Sequence, residues 1–143
     1  SDSYLTTIGV KVTKKEMVIG NSAIADLLLW DIAGSDRFTN ISPEYIKGAS
    51  AGIIVADLTR KSTIESIPGH AELLASENPS MNIFIALNKS DLVENIKDNM
   101  ELAENGLKGR NVKLIIPTSA KNGMNVEDLF KRLSYSIYGD INK

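Results

Sequence analysis

Three short clusters of side chains carry most of the chemistry this sequence can do. Trp30-Asp31-Ile32-Ala33-Gly34 sets an aspartate three residues before a glycine at the end of an apolar run. A carboxylate there can hold Mg²⁺ through its water shell, and a glycine lets its own N–H come close to a terminal phosphate. An ordinary strand-to-loop turn would carry the same residues. Asn88-Lys89-Ser90-Asp91 follows the run Ile83–Leu87. An aspartate in that place can accept from the N1–H and the 2-amino group of guanine. Adenine presents the opposite pattern at those edges and would leave the carboxylate unpaired. Asn88 can brace such a site through its amide, and the Lys89 stem can lie over a planar base; a polar strand end with a capping aspartate is the plainer reading. Thr118-Ser119-Ala120-Lys121 follows Val112–Ile116. A backbone N–H of that loop can donate to guanine O6 while the Lys121 stem covers the base, although alone it reads as a generic loop. Specificity comes from the set, since DxxG, NKxD and SAK occur in that order, each directly after an apolar run.

Positioning these clusters requires strands that end beside one another. Ile8–Ile19 carries two pairs at two-residue spacing, Val10 and Val12, then Met17 and Ile19; Gly20-Asn21-Ser22 supplies a turn, and Ala23–Trp30 follows, which predicts a β-hairpin. Ala51–Leu58, Asn82–Leu87 and Val112–Ile116 are short continuous apolar runs, the pattern of strands covered on both faces of a parallel sheet. Between them, Ile64, Ile67, Ala71 and Leu74 predict a helix from about Ser62 or Thr63, provided Pro68 falls in or near a first turn. Asp98–Leu107 is a weaker helix. Val126, Leu129, Phe130, Leu133 and Ile137 predict the last one, with Asn125 as its N-cap after Gly123. Strand and helix alternate as in a doubly wound α/β domain, whose ligands bind at the carboxyl ends of the strands.

Composition narrows the function classes. The 143 residues carry 16 Lys+Arg against 18 Asp+Glu, a net charge of −2, where a generic nucleic-acid or acidic-membrane binder would carry a basic excess. There is no cysteine, which excludes disulfides, thiolate metal sites, cysteine nucleophiles and cysteine lipidation within this sequence. The single histidine, His70, cannot build a multi-histidine metal site and reads as a surface residue. No apolar run approaches the roughly 18–20 residues that span a bilayer. The features read as one soluble, intracellular domain over residues 1–143. Lys11, Lys14 and Lys15 read as a solvated edge strand, with effector contact as the functional alternative. Trp30 reads either as core or as part of an effector surface.

The constellation resembles the Ras-superfamily small GTPases over almost the whole chain, and within them it looks Rab-like. Thr6-Thr7-Ile8-Gly9-Val10 is similar to the Rab switch I segment, and Trp30 before Asp31 suits Rab and Rho proteins. Pro43-Glu44-Tyr45-Ile46-Lys47-Gly48-Ala49 looks like the Rab helix that ends in Tyr-Arg-Gly-Ala, with Lys47 in place of arginine, and Asp57-Leu58-Thr59 matches the polar end of the next strand. The resemblance implies a P-loop NTPase G domain: an α/β, doubly wound, mostly parallel sheet with one antiparallel hairpin strand, flanked by helices. It implies GTP/GDP and Mg²⁺ as cofactors, with Thr7 as the switch I metal ligand and γ-phosphate sensor. Asp31 would be the second metal contact and Gly34 a phosphate contact, while Asn88, Lys89, Asp91, Ser119, Ala120 and Lys121 would read guanine. It further implies a switch in which γ-phosphate contacts order two loops, engaging effectors, exchange factors and GTPase-activating proteins.

Two departures bear on that expectation. Ser35 stands where most of the family has the glutamine that orients the attacking water, and its short side chain predicts slow intrinsic hydrolysis. No GxxxxGK[ST] P-loop occurs in the sequence, which begins at about switch I. The resemblance therefore implies a longer parent protein, and GTPase activity requires that the intact protein carry the loop. Without that interior strand, hairpin and parallel strands would lack a shared neighbour. No prenylation cysteine ends the sequence, so membrane attachment is not encoded in it; the expected location is cytoplasmic, or peripheral to membranes if a lipidated tail is missing. The alternatives are a P-loop-less pseudo-GTPase acting as a protein-interaction adaptor, and a phosphoacceptor receiver using Asp57.

Overall fold

A computed structural model describes residues 2–5, 10–19, 23–32 and 43–141. Its first layer is an antiparallel sheet of β1 (Asp2–Leu5), β2 (Val10–Ile19) and β3 (Ala23–Ile32), in that order. The predicted hairpin is present, with Met17 paired to Ala25 and Ile19 to Ala23; its turn lies outside the described residues. The period-2 alternation has its usual cause, with Met17, Ile19 and Leu27 buried while Val18, Ile24 and Leu28 face outward. β1 was not anticipated from sequence, and it pairs with Val10–Thr13 of β2.

The lysine reading needs correction. The start of β2 is no free edge, because β1 covers it as far as Thr13. Lys15 is also not a solvated edge residue. Its ammonium reaches Glu127 at 2.7 Å and sits 5.3 Å from the centre of the Phe130 ring, so it ties the hairpin to the last helix. Lys14 does stay exposed, 4.0 Å from Asp26. The side chains of Lys11 and Trp30 lie outside the described residues.

After the short helix α1 (Pro43–Gly48) come three parallel strands, β4 (Ala51–Asp57), β5 (Asn82–Asn88) and β6 (Val112–Pro117), ordered β4-β5-β6. Helices α2 (Lys61–Glu65) and α3 (Ile67–Glu77) connect β4 to β5, α4 (Ile96–Gly106) connects β5 to β6, and α5 (Val126–Ile141) follows β6. The one predicted helix after β4 is thus two. Pro68 has no N–H to give and stands in the first turn of α3, so the chain breaks at Ser66 and restarts. The predicted stripe survives the break, since Ile64, Ile67, Ala71 and Leu74 are all buried. The open carbonyls at the end of α1 are met by the Asn78 amide, which donates to Ile46 O at 3.1 Å and Ala49 O at 3.0 Å.

Both faces of the parallel sheet are covered, which is why its strands read as unbroken apolar runs. Ile83, Ile85 and Leu87 of β5 face a core with Ile54 and Ala56 of β4 and with residues of α1, α2, α3 and α4. Phe84 and Ala86, on the opposite face, meet Ile116 of β6, Leu129 and Leu133 of α5, and Met17 and Leu27 of the hairpin. The Phe130 and Leu133 stripe is therefore core, as expected. Gly52 packs closely, because a Cβ there would stand 2.8 Å from Met81 Sδ and force that side chain to shift.

The fold is thus α/β, with parallel strands, an antiparallel hairpin and flanking helices as anticipated. Among the described residues β3 and β4 share no ladder, so each is the edge of its own three-stranded sheet. Among the described residues the two sheets meet through side chains, across Phe84 and the α5 stripe.

Candidate functional site

Parallel pairing brings the NKSD and SAK clusters to the same end of adjacent strands. Register sets Leu87 of β5 against Pro117 of β6, so the chain leaves both strands side by side. Thr118 N–H donates to Leu87 O at 2.8 Å, and Ser90 N–H donates to Thr118 O at 3.0 Å, stitching the two loops just past the sheet.

Side chains complete the junction. Asn88 Oδ1 accepts from the Ala120 N–H at 3.1 Å and from the Thr118 hydroxyl at 3.3 Å. The Ser119 hydroxyl, fully buried, donates to Asp91 Oδ1 at 2.8 Å. Asp91 is itself exposed, so its carboxylate is fixed from behind and open in front. The bracing role expected of Asn88 is present. The Ala120 N–H, a candidate donor to guanine O6, points to Asn88 here. Lys121 is exposed on the same loop. Ser90 tucks its hydroxyl inward, buried and without a partner among the described residues.

Backbone geometry explains how the loops turn so sharply. Lys89 has φ 65 and ψ 33, a left-handed conformation that costs a non-glycine residue about 1–2 kcal/mol. It turns the chain into the single tight turn Ser90–Leu92, closed by Leu92 N–H to Lys89 O at 3.0 Å. In the second loop Gly123 (φ 82) and Asn125 (φ 63) share that region, and Gly123 N–H donates to Ser119 O at 2.8 Å. Asn125 holds the predicted N-cap position, its carbonyl accepting from the Leu129 N–H at 3.0 Å, but its side chain does not cap the helix. Its backbone is left-handed rather than extended, and its amide donates to Pro117 O at 2.8 Å, anchoring the loop to β6.

The neighbouring strand adds a charge that sequence reasoning had not connected to this site. Asp57 lies opposite Asn88 in the β4–β5 register, and its Oδ2 is 2.9 Å from Lys89 Nζ. Asp57 Oδ1 accepts from the Thr59 N–H at 2.9 Å and from the Thr59 hydroxyl. The Thr59 hydroxyl and then the Lys89 ammonium hold the Asp57 carboxyl at about 2, below the ordinary 3.8, with burial pulling the other way. A depressed acid stabilises the fold above its unfolded pKa, and that contribution is lost as pH falls through the folded value. Urea unfolding of the wild type should therefore lose stability between about pH 4 and pH 2, and the Asp57→Asn variant should lose less of it over the same window. No sequence signal could reveal the pair except the strand register itself.

The remaining expected site residues divide in two. Thr7, Gly34 and Ser35 lie outside the described residues. Asp31 lies next to last in β3, opposite Lys11, with its side chain outside them. Among the described residues no cluster of three or more His, Cys, Asp or Glu could hold a metal ion, and no helix is long and apolar enough to cross a membrane. His70 on α3 is half-buried rather than fully at the surface, and that burial lowers its pKa.

Comparison with known proteins agrees with this geometry. Residues 1–139 match the Ras family. The Ras-related protein Rab-31 of Rattus norvegicus is 35% identical over 138 residues, covering 92% of this chain and 67% of that protein. Its namesake in Mus musculus is 34% identical over the same coverage. Membership removes the receiver alternative for Asp57, whose two carboxylate oxygens are in any case engaged by Thr59 and Lys89. Two loops braced at neighbouring strand ends, a match spanning nearly the whole sequence and a third of its residues shared with Rab-31 lead to one conclusion: this chain belongs to the Ras family, as a Rab-like small GTPase.

Proposed function

We propose that this chain works as a guanine-nucleotide-dependent switch, reading the base with Asn88, Lys89, Asp91, Ser119, Ala120 and Lys121. The observation that carries the reading is the junction of the two loops, with Ser119 donating to Asp91 and Ala120 to Asn88. It leaves one exposed carboxylate braced at the carboxyl end of a parallel sheet, where such folds bind ligands. A carboxylate complements the two adjacent donors on guanine and rejects adenine.

Thr7 and Asp31 would hold Mg²⁺, offering a hydroxyl and a carboxylate, the hard oxygen donors that ion takes while retaining water. Bound Mg²⁺ would neutralise charge on the phosphates, while Thr7 and Gly34 respond to the γ-phosphate through their N–H groups. The sequence holds no GxxxxGK[ST], so the phosphate-cradling amides and lysine of that motif would come from outside these 143 residues. Effectors, exchange factors and GTPase-activating proteins would meet the switch segments, in the cytoplasm or at a membrane surface.

Nucleotide extraction from the full-length protein, read by chromatography beside its intact mass, tests the reading. Stoichiometric GDP or GTP supports it; equal affinity for GDP and ADP overturns it. Hydrolysis gives a separate expectation. Ser35→Gln should raise single-turnover GTP hydrolysis by roughly tenfold or more, because the longer amide can reach and orient the attacking water. An unchanged rate would mean that another group orients it.

A further inference from the structure

We propose that Asp57 is a positioning residue of the base site, acting through Lys89. This rests on the guanine reading above and adds to it a residue that none of the three motifs contains. The argument begins with the sheet. β4 and β5 are paired in parallel up to Asp57 and Asn88, and Leu58 N–H donates to Asn88 O at 2.9 Å, so the two strand ends are joined by backbone. Asp57 N–H donates to Thr63 Oγ1 at 2.9 Å, which fixes the aspartate's backbone against α2.

The carboxylate is held as firmly as the backbone. Thr59 occupies Oδ1 through both its N–H and its hydroxyl, leaving Oδ2 directed at Lys89 Nζ, 2.9 Å away. An exposed ion pair between two free side chains contributes little, because both must be ordered to form it. Here one partner is already ordered, with only 16% of the Asp57 side chain exposed against 49% for Lys89. The ordering falls on the lysine alone.

Lys89 is then fixed at both ends. Its Cα is set by the left-handed turn and its ammonium by Asp57. The four-carbon stem between them becomes a fixed apolar rail, two residues before Asp91 in sequence and suited to the flat face of a purine. Removing the carboxylate frees the rail while leaving the Ser119–Asp91 bond, which reads the base edge, in place. Asp57 therefore governs how long a purine stays, and Asp91 governs which purine it is.

Stopped-flow release of fluorescent GDP and fluorescent IDP from the full-length protein separates these roles, since inosine lacks the 2-amino group that Asp91 would recognise. Asp57→Asn should speed release of both nucleotides roughly tenfold, as expected for loss of one charge-assisted contact. The preference for GDP over IDP should stay as in the wild type. Lys89→Met keeps the stem and removes the charge, and in that background Asp57→Asn should add nothing. Release within twofold of wild type, additive effects in the double variant, or a collapsed GDP-over-IDP ratio would each overturn the positioning role while leaving the guanine reading standing. A wild-type protein with no preference for guanine nucleotides would overturn the guanine reading, and this proposal with it.

Discussion

Asp91→Asn should convert the proposed guanine site into a xanthine site. In the wild type the Ser119 hydroxyl donates to Asp91 Oδ1 at 2.8 Å, so the carboxylate cannot turn freely. An asparagine in its place must keep its carbonyl toward that same hydroxyl, because an N–H turned toward it would leave the buried Ser119 without its acceptor. Its NH₂ then faces the ligand. Guanine presents two donors there, and donor meets donor. Each lost charge-assisted hydrogen bond costs about 1.5–3 kcal/mol, so GDP affinity should fall roughly 10²- to 10⁴-fold. Xanthine carries a carbonyl where guanine has its amino group, and its diphosphate should bind the variant more tightly than GDP does. Competition binding with the two diphosphates measures both changes. A variant that retains wild-type preference for GDP would remove Asp91 from the base edge.

Phe84→Ala should cause the largest loss of stability. Phe84 lies on the central parallel strand, 2% exposed, in the cluster that joins Met17 and Leu27 of the hairpin to Leu129 and Leu133 of α5. Truncation removes a large apolar side chain and leaves a cavity that the β5 ladders on either side cannot close. Such changes cost about 3–5 kcal/mol, a large share of the roughly 5–15 kcal/mol that a domain possesses. The urea midpoint should fall accordingly. Because no ladder joins the hairpin sheet to the parallel sheet among the described residues, the hairpin should loosen first in the variant. A loss below about 1 kcal/mol would show that the two sheets do not depend on this core.

Much of this was legible because burial leaves a simple mark. Ile83–Leu87 has apolar residues in succession because Ile85 and Phe84 point to opposite, equally covered faces. The α5 stripe has the helical period because only one side of that helix meets the sheet. The motif order was legible too, since each cluster follows the strand that positions it. What escaped the sequence depended on long-range register. Asp57 meets Lys89 only because β4 and β5 are parallel and in line, a relation that no local spacing encodes. Lys15 faces inward because β2 happens to pass over Phe130, and one lysine of a basic cluster gives no sign of that. The Ser66 break followed from Pro68, whose effect was foreseen but whose position in a second helix was not.

The separation of the two sheets bears on how amide hydrogens exchange with solvent. β5 is laddered on both sides, to β4 and to β6, so exchange along it should require opening of the parallel sheet. On β4 the amides turned toward β5 share that protection, while alternate ones turn toward the side where no described strand pairs. β3 repeats the asymmetry against β2. Among the described residues, slow and fast protons should thus interleave residue by residue along β3 and β4, the fast ones on the sides of those strands that face no described ladder.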